Sequence, residues 1–405
     1  MKTSRRALLA ASAMGALLPY ARAGAQAPTL KLGVLTDMSG PYRDLAGPGS
    51  TLSANLAIEE VASSLGVKVE VVSADHQNKP DVGVGVAKQW LDADGVDAIL
   101  DVANSAVSLA IAGVCKDKDK VFLASGGATS DLTAAACTPN TVHWTYDTYM
   151  LARSTGGALV KAGGDSWFFM TADYAFGAAL ERDVGNFVKS AGGKVVGGVR
   201  TPFPGTTDFS SFLLQGQSSG AKILGLANAG TDTINSIKQA KEFGITMKLA
   251  GLLVFLTDVH SLGLATAQGI VLSESYYWDL NDGTRAFADR FTKRMPNVRP
   301  TMVQAGVYAS TLHYLRATAA MGTAKAKASG AAAVAQMKAM PTDDVCFGKG
   351  SIRIDGRKIH PSYLFEVKKP SESKAPFDYY KLLATTPANE AFRPLNEGGC
   401  PLVKA

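Results

Sequence analysis

Short apolar runs alternate with segments of helical periodicity along the first third of the chain. Apolar runs of about four to eight residues are typical of strands buried in a parallel sheet, and apolar residues three or four apart are typical of helices that cover such a sheet. The pattern therefore predicts repeated strand–helix units. The predicted strands cover residues 30–35, 67–73, 98–101 and 121–124, and the predicted helices cover 51–64 and 82–91.

The same alternation restarts after an aromatic segment at 143–149. Two successive blocks of similar layout predict an α/β fold with two parallel-sheet lobes. Because ligands bind beyond the carboxyl ends of parallel strands, the lobes should face each other across a ligand-binding cleft. The second block has predicted strands at 166–171, 194–200, 222–227 and 247–251, and predicted helices at 177–190, 208–217 and 231–243.

The last third of the chain does not repeat this layout. Its segments are explained by a chain that crosses between the lobes more than once. The Ala, Lys and Gly residues that end at Gly330 are typical of a flexible surface turn. We predict an extended segment at 269–278, helices at 284–295, 302–321 and 331–340, and strands at 351–354, 363–367 and 379–384.

Small and polar residues follow two neighbouring strands of the first block. The sequence Ala-Asn-Ser-Ala at 103–106 follows one strand, and Ser-Gly-Gly-Ala-Thr-Ser-Asp at 125–131 follows the next. Small side chains let a ligand approach the backbone, and N–H groups at a helix start are free to bind an anion. Either turn alone is typical of an ordinary helix N-cap, whereas two adjacent turns predict a cradle for a carboxylate.

The N-terminal segment has the pattern of an export signal. Cationic residues precede the apolar run 7–18, and Ala-Arg-Ala at 21–23 fits a small-x-small cleavage site, so residues 1–23 are predicted to be removed. Arg5 and Arg6 leave both Sec and twin-arginine export open. Four of the 41 Lys and Arg residues lie in this segment, against 35 Asp and Glu residues in the chain, so the mature protein is close to neutral. This charge gives little support to a nucleic-acid partner.

Four cysteines in an exported chain favour disulfides over metal ligation. We predict the pairs Cys115–Cys137 and Cys346–Cys400, because the first pair flanks one strand and its loop and the second would hold a tail rich in Pro and Gly. Buried free thiols are the alternative. No CxxC motif occurs and the five histidines are scattered, so neither a metal site nor a cofactor is predicted.

Several segments together resemble the leucine/isoleucine/valine-binding proteins, which are type I periplasmic solute-binding proteins of ABC transporters. These segments are Lys-Leu-Gly-Val-Leu-Thr-Asp-Met-Ser-Gly-Pro at 31–41, Gly-Gly-Ala-Thr at 126–129, Asp-Tyr-Ala-Phe-Gly at 173–177 and Thr-Asp-Phe at 207–209.

The resemblance implies two Rossmann-like lobes that close around a ligand about a three-crossover hinge near residues 143–147, 272–277 and 348–352. One lobe would comprise 24–145 with 275–349, and the other 146–274 with 350–405. A periplasmic monomer without catalytic activity is implied, with a small-molecule carboxylate and the permease subunits in the inner membrane as its partners.

Family binders of amino acids hold the α-carboxylate on two turns, which correspond here to Asn104-Ser105 and Ala128-Thr129. They hold the α-ammonium on an acidic residue after the fourth strand of the second lobe, where this chain has apolar Leu253. An unpaired ammonium in a closed cleft costs several kcal/mol, so an amino acid is disfavoured. Asp258 as a substitute counter-charge keeps branched-chain amino acid or amide binding open.

Aromatic residues at predicted strand ends fit a carboxylate with an apolar body, because aromatic pairs and Tyr hydroxyls can bind a substituted ring. The pattern resembles the branch of the family that binds benzoates and cinnamates, and Arg43 is expected to assist the anion. We expect about half of the aromatic residues to pack the hinge instead. The candidate ligand-binding residues are Tyr42, Arg43, Asn104, Ser105, Ala128, Thr129, Tyr149, Tyr174, Phe176, Asn228, Leu253 and Phe255.

The two alternative classes of protein are a hydrolase and a periplasmic sensor subunit. The sequence Gly-Gln-Ser-Ser-Gly at 216–220 matches the G-x-S-x-G motif of hydrolases, but the predicted helix before it and strand after it are the reverse of a nucleophile elbow. An enzyme is therefore disfavoured. The sequence does not distinguish a periplasmic sensor subunit from a transporter subunit.

Overall fold

The computed structural model describes residues 28–404, and the predicted export signal at 1–23 lies outside the described residues. Among the described residues, no helix combines the length and the apolarity that crossing a membrane requires. The elements form an α/β fold in which two parallel sheets belong to two lobes, as the alternation of strands and helices predicts.

The first lobe is built on a five-stranded parallel sheet with the order β2-β1-β3-β4-β5. Its central strands are fully buried because helices cover both faces, which explains their continuous apolar sequences. The strands are β1 (Leu30–Thr36), β2 (Val69–Asp75), β3 (Ala98–Asp101), β4 (Val121–Ala124) and β5 (Thr141–His143), and the helices between them are α1 (Gly47–Leu65), α2 (Pro80–Asp92) and α3 (Ser105–Asp117).

The second lobe begins with a helical stretch that contains a π-helical turn at Ala152–Gly156 and continues into a four-stranded parallel sheet with the order β7-β6-β8-β9. The helices are α4 (Thr148–Leu151), α5 (Gly157–Lys161), α6 (Ala175–Ser190), α7 (Ser210–Ser218), α8 (Thr231–Glu242), α9 (Leu256–Leu262) and α10 (Leu264–Ala267), and the strands are β6 (Ser166–Ala172), β7 (Lys194–Thr201), β8 (Ile223–Ala227) and β9 (Lys248–Gly251).

The remaining segments pass between the lobes. After β10, helices α11 and α12 return to the first lobe and pack on α1. The strand β10 also pairs with β13 in an antiparallel sheet of order β10-β13-β14, which lies beside β9. The domain boundaries given above remain predictions. The elements are β10 (Val271–Glu274), α11 (Asp282–Arg294), α12 (Met302–Met321), α13 (Thr323–Ala328), α14 (Gly330–Ala339), β11 (Ser351–Ile352), β12 (Lys358–Ile359), β13 (Ser362–Val367), β14 (Tyr380–Thr386) and α15 (Ala388–Ala391), with 3-10 turns at Ser130–Thr133, Pro370–Glu372 and Leu395–Glu397.

The flexible turn predicted before Gly330 is wrong, because the stretch forms α13 and is attached to the first sheet. Lys327 Nζ contacts Asp97 Oδ2 at 2.5 Å and donates to Thr29 O at 2.8 Å, and Gly330 N donates to Asp119 O at 2.8 Å. These contacts between residues distant in sequence order a segment whose local composition favours a turn.

The predicted disulfide pairs are also wrong. The structure has one disulfide, Cys137–Cys400, while Cys115 and Cys346 are free and buried. Cys115 lies on the face of α3 that packs against the first sheet, with its Sγ 3.8 Å from Val121 O. The C-terminal segment instead returns to the first lobe and brings Cys400 to Cys137, which adds a covalent connection between this segment and the loop before β5.

Candidate functional site

The carboxyl ends of the two sheets face each other, and the cleft between them is closed. Tyr42 follows β1 of the first lobe, and Tyr174 follows β6 of the second; their hydroxyl oxygens are 2.5 Å apart. The ring of Phe203, which follows β7, stacks on both, with centroid distances of 5.5 Å to Tyr42 and 4.3 Å to Tyr174. Three aromatic side chains from two lobes therefore cover the cleft.

A small cavity lies beneath this cover, and Tyr42 and Tyr174 form part of its wall. Its lining side chains are neutral, and most of them are apolar or aromatic. They are Tyr42, Leu45, Ala103, Asn104, Ser105, Gly126, Ala128, Tyr146, Tyr174, Phe176, Ala229, Leu253 and Phe255.

The polar part of the cavity is formed by the two turns after β3 and β4. Ser105 Oγ accepts a hydrogen bond from Thr129 N at 3.1 Å, which leaves the Ser105 hydroxyl proton free to donate to a ligand. Ser105 is the first residue of α3, so its N–H has no acceptor within the helix, and Ala128 N has no acceptor among the described residues. The two turns can thus present three neutral donors to an anion.

Positions 126 and 127 have no room for a side chain, because the two turns pack against each other. A Cβ on Gly126 would stand 2.6 Å from Ala103 Cα and 2.7 Å from Asp101 Oδ1, and a Cβ on Gly127 would stand 2.1 Å from Ser108 Oγ. From the sequence, the small side chains here are expected to let a ligand approach the backbone. In the structure they also permit close contact between neighbouring turns.

Aromatic and aliphatic side chains form the rest of the wall. Tyr146 donates its hydroxyl hydrogen to Gly126 O at 3.1 Å and packs edge to face on Phe255 at 5.9 Å between ring centroids. Leu253, which is 3% exposed, precedes α9 and lines the cavity directly. This wall offers contact area to an apolar ligand but no counter-charge to a cation.

Three buried carboxyl groups lie near the cavity without lining it. Burial raises the pKa of Asp101 to about 6 and the pKa of Asp232 and of Asp258 to about 7. Asp258 Oδ2 accepts from Phe255 N at 2.9 Å, as part of the capping box of α9. This carboxylate is thus engaged at the helix terminus and does not replace the acidic residue missing at position 253.

The structure brings together eight of the twelve predicted site residues in this cavity. Four lie elsewhere, each for a local reason. Arg43 is exposed in a separate groove, and the Thr129 hydroxyl is hydrogen-bonded to Asp131. Tyr149 packs on Phe187 and under Arg393. The side-chain amide of Asn228 is hydrogen-bonded to Thr233 and Ser236. The eight residues that line the cavity are Tyr42, Asn104, Ser105, Ala128, Tyr174, Phe176, Leu253 and Phe255.

Sequence reasoning left five lining residues out of the predicted site. Ala103 and Gly126 belong to the two turns it identified and could have been included on that ground. Tyr146 lies in the aromatic segment between the blocks, and Ala229 follows β8 as Leu253 follows β9. Leu45 carries no chemical signal in the sequence. Within residues 28–404 no group of three or more side chains is arranged to bind a metal ion.

A model of the periplasmic binding protein family matches residues 29–374. Leu/Ile/Val-binding protein homolog 4 of Brucella abortus is 24% identical over 300 residues, which cover 71% of each chain.

Solved structures agree with this match. A periplasmic binding protein from Burkholderia mallei has 49% identity and a TM-score of 0.89, with 93% of this chain and 99% of that chain covered. A branched chain amino acid ABC transporter periplasmic ligand-binding protein from Burkholderia xenovorans has 40% identity and a TM-score of 0.80, with 92% and 100% covered. A solute-binding protein from R. palustris in complex with benzoate shares the fold at 21% identity and a TM-score of 0.81, with 92% and 100% covered. From its sequence and its fold, the chain belongs to the periplasmic binding protein family.

Proposed function

We propose that this chain is the periplasmic solute-binding component of an ABC importer and that it captures a small aromatic carboxylate by closure of its lobes. The observation that carries the proposal is the composition of the cavity: none of its thirteen lining residues is charged. The ammonium of an amino acid would be buried there without a counter-charge, at a cost of several kcal/mol.

A carboxylate can be bound by neutral donors. Ser105 supplies its hydroxyl and its N–H, and Ala128 supplies a second N–H, all at the carboxyl ends of neighbouring strands. Hydrogen bonds to the charged form favour ionisation of a bound acid even without a cationic side chain. The ligand then remains an anion while its apolar part is desolvated.

The remainder of the cavity suits a ring. Five of the lining residues are Tyr or Phe, which offer aromatic faces and edges to a ring. In the pair formed by Tyr42 and Tyr174, one hydroxyl donates to the other, so the pair retains one proton and acceptor lone pairs for a ring substituent. A hydroxybenzoate combines these features.

The alternative ligand is a branched-chain amino acid. It is favoured by the description of the Burkholderia xenovorans relative, which has 40% identity to this chain. In that case the ammonium would have to draw Asp258 away from the helix terminus that it now caps.

A thermal-shift measurement on the refolded, ligand-stripped mature protein distinguishes the two ligands. The panel contains benzoate, 4-hydroxybenzoate, 4-hydroxycinnamate, leucine, valine and urea. A ligand at 100 times its Kd stabilises the native state by about 2.7 kcal/mol, which raises Tm measurably. We expect a rise with the aromatic acids alone; a rise with leucine or valine alone would contradict the proposed ligand class.

A further inference from the structure

We infer that Asn78, which does not line the cavity, is a positioning residue that holds the aromatic wall at Tyr42 and the anion-binding turn at Ser105 in a fixed relation. It lies between the Asp37 carboxylate and the Asn104 side chain in a continuous chain of buried hydrogen bonds. The inference rests on the proposed function only for the ligand used in its test.

Asp37 organises the loop that carries Tyr42. This fully buried carboxylate accepts from Gly40 N at 2.6 Å and from Tyr42 N at 2.8 Å, and its Oδ2 also accepts from Asn78 Nδ2 at 2.6 Å. The position of Tyr42 at the end of β1 thus depends on a carboxylate that Asn78 holds from the other side.

Asn104 organises the second turn. Its Oδ1 accepts from Ala106 N at 3.0 Å and from Val107 N at 3.1 Å, which caps α3, and its Nδ2 donates to Asn78 Oδ1 at 3.1 Å. Ser105, the donor at the polar part of the cavity, is the next residue along the chain.

The orientation of both amides follows from the groups at the two ends of this chain. A carboxylate can only accept, so Asn78 must direct its NH₂ toward Asp37 and its oxygen toward Asn104. The backbone N–H groups of α3 can only donate, so Asn104 must direct its oxygen toward them and its NH₂ toward Asn78. Only a side chain with a donor and an acceptor side by side fits at position 78.

The backbone holds Asn78 in this place. Its φ of 56° lies in the left-handed region, which Asn adopts more readily than most residues. Its N–H donates to His76 Nδ1 at 3.0 Å, and burial lowers the pKa of His76 to about 4, so the ring remains a neutral acceptor at physiological pH. The side chain is therefore fixed before any ligand binds.

Tyr42 contacts the second lobe through Tyr174 and Phe203, whereas Ser105 belongs to the anion-binding turn. If the loop that carries Tyr42 shifted relative to the turn that carries Ser105, ligand binding at Ser105 would no longer be coupled to closure of the cleft at Tyr42. Loss of the Asn78 amide should therefore weaken ligand binding although no atom of Asn78 lines the cavity.

The test compares Asn78→Ala and Asn78→Gly with the control Asn140→Ala. Asn140 is also buried and also donates its Nδ2 to a carboxylate, Asp119 Oδ1 at 2.9 Å, but it lies before β5, away from the cavity. We expect Asn78→Ala to raise Kd for 4-hydroxybenzoate about tenfold in calorimetry, while Asn140→Ala lowers Tm and leaves Kd unchanged. Asn78→Gly tolerates the left-handed backbone and adds no charge beside Asp37, so it provides a second variant if Asn78→Ala does not fold.

Amide hydrogen exchange of the ligand-free protein tests the same inference without a ligand. In both Asn78 variants the amides of Tyr42 and Val107 should exchange faster together, whereas in Asn140→Ala neither should change. Faster exchange at only one of these amides, or an unchanged Kd with wild-type binding intact, would overturn the inference. If the wild type does not bind 4-hydroxybenzoate, the proposed ligand fails and the exchange result still decides the role of Asn78.

Discussion

At the scale of single residues, the most informative feature of the cavity is the apolar side chain at position 253. Leu253 occupies a wall of the closed cleft at a position where family members that bind amino acids are expected to have an acidic side chain. The residue is 3% exposed and lines the cavity, so the proposed ligand would contact it. Under the proposed function, Leu253 leaves an ammonium group in this cavity without a counter-charge.

We predict that Leu253→Glu abolishes binding of 4-hydroxybenzoate. The new carboxylate and the ligand would be two anions in one desolvated space, which raises the pKa of one of them and opposes binding. Leu253→Met conserves volume and polarity and should change Kd only slightly. Calorimetric titration of both variants measures this, and an unchanged Kd for Leu253→Glu would mean that the side chain at 253 does not face the ligand.

Asp101 supports a prediction about pH and stability. Burial raises its pKa to about 6 in the native state, compared with about 4 in an unfolded chain, so the native state binds the proton more tightly. Asp101 therefore lowers the free energy of unfolding progressively as pH rises from 4 to 6, by about 3 kcal/mol in total.

The substitution Asp101→Asn removes this dependence. We expect the free energy of unfolding of the variant, relative to the wild type, to increase by about 3 kcal/mol between pH 4 and pH 8. Urea unfolding of both proteins at each pH measures the difference. A difference that stays constant with pH would contradict a raised pKa at this site.

At the scale of elements, the sequence predicts those that local pattern and burial determine together. The bounds of β3, β4 and α12 match the predicted ranges. A continuous apolar run marks each of the two strands, and a capping box at Thr301 and Gln304 marks the start of the helix. The predicted bounds of β2 are displaced by two residues. Its half-buried residues mark no clear ends.

Other elements could not be predicted because distant residues determine them. The strand β5 has three residues, and its His143 N donates to Gly356 O, more than two hundred positions away. The hairpin of β11 and β12 has two residues in each strand. For the site, the turns were predicted from their residue types. The engagement of the Thr129 hydroxyl with Asp131 and the distance from Cys137 to Cys400 depend on the whole fold.

Arg357 holds this hairpin against the crossing segment between β5 and α4. It is fully buried, donates to Thr145 O and Tyr146 O, and lies 3.4 Å from Asp147 Oδ2. Burial lowers its pKa to about 10, so it remains charged at neutral pH and compensates the buried Asp147. This ion pair and these backbone acceptors therefore join the hairpin to the segment between β5 and α4.

We predict that Arg357→Met lowers the free energy of unfolding by about 3–5 kcal/mol, because it leaves the Asp147 carboxylate buried without a partner. Adding Asp147→Asn should restore part of the loss, since the amide oxygen can still accept from Met150 N, as Asp147 Oδ1 does at 2.8 Å, while the unpaired charge is gone. Denaturant unfolding of both single variants and the double variant measures the coupling. Strict additivity would contradict an interaction between these residues.

At the scale of the whole molecule, the C-terminal segment joins the two lobes a further time. After β14 of the second lobe, Phe392 packs on the Arg357 guanidinium at 4.4 Å from the ring centroid, and Arg393 donates to Ser130 Oγ of the first lobe at 2.7 Å. Ser130 Oγ also donates to Asp183 Oδ2 of α6 at 2.7 Å. The disulfide from Cys400 to Cys137 makes this connection covalent.

The disulfide should stabilise the native state, because it closes a loop with a sequence separation of 263 residues and so restricts the unfolded chain. We predict that reduction lowers the free energy of unfolding by about 2–5 kcal/mol. The double variant Cys137→Ser/Cys400→Ser should show the same loss without reductant and no further loss with it, whereas Cys346→Ala should keep its sensitivity to reductant. Chemical unfolding with and without dithiothreitol measures this. Sensitivity to reductant in the double variant would instead implicate the buried thiols Cys115 and Cys346, and would contradict the pairing in the structure.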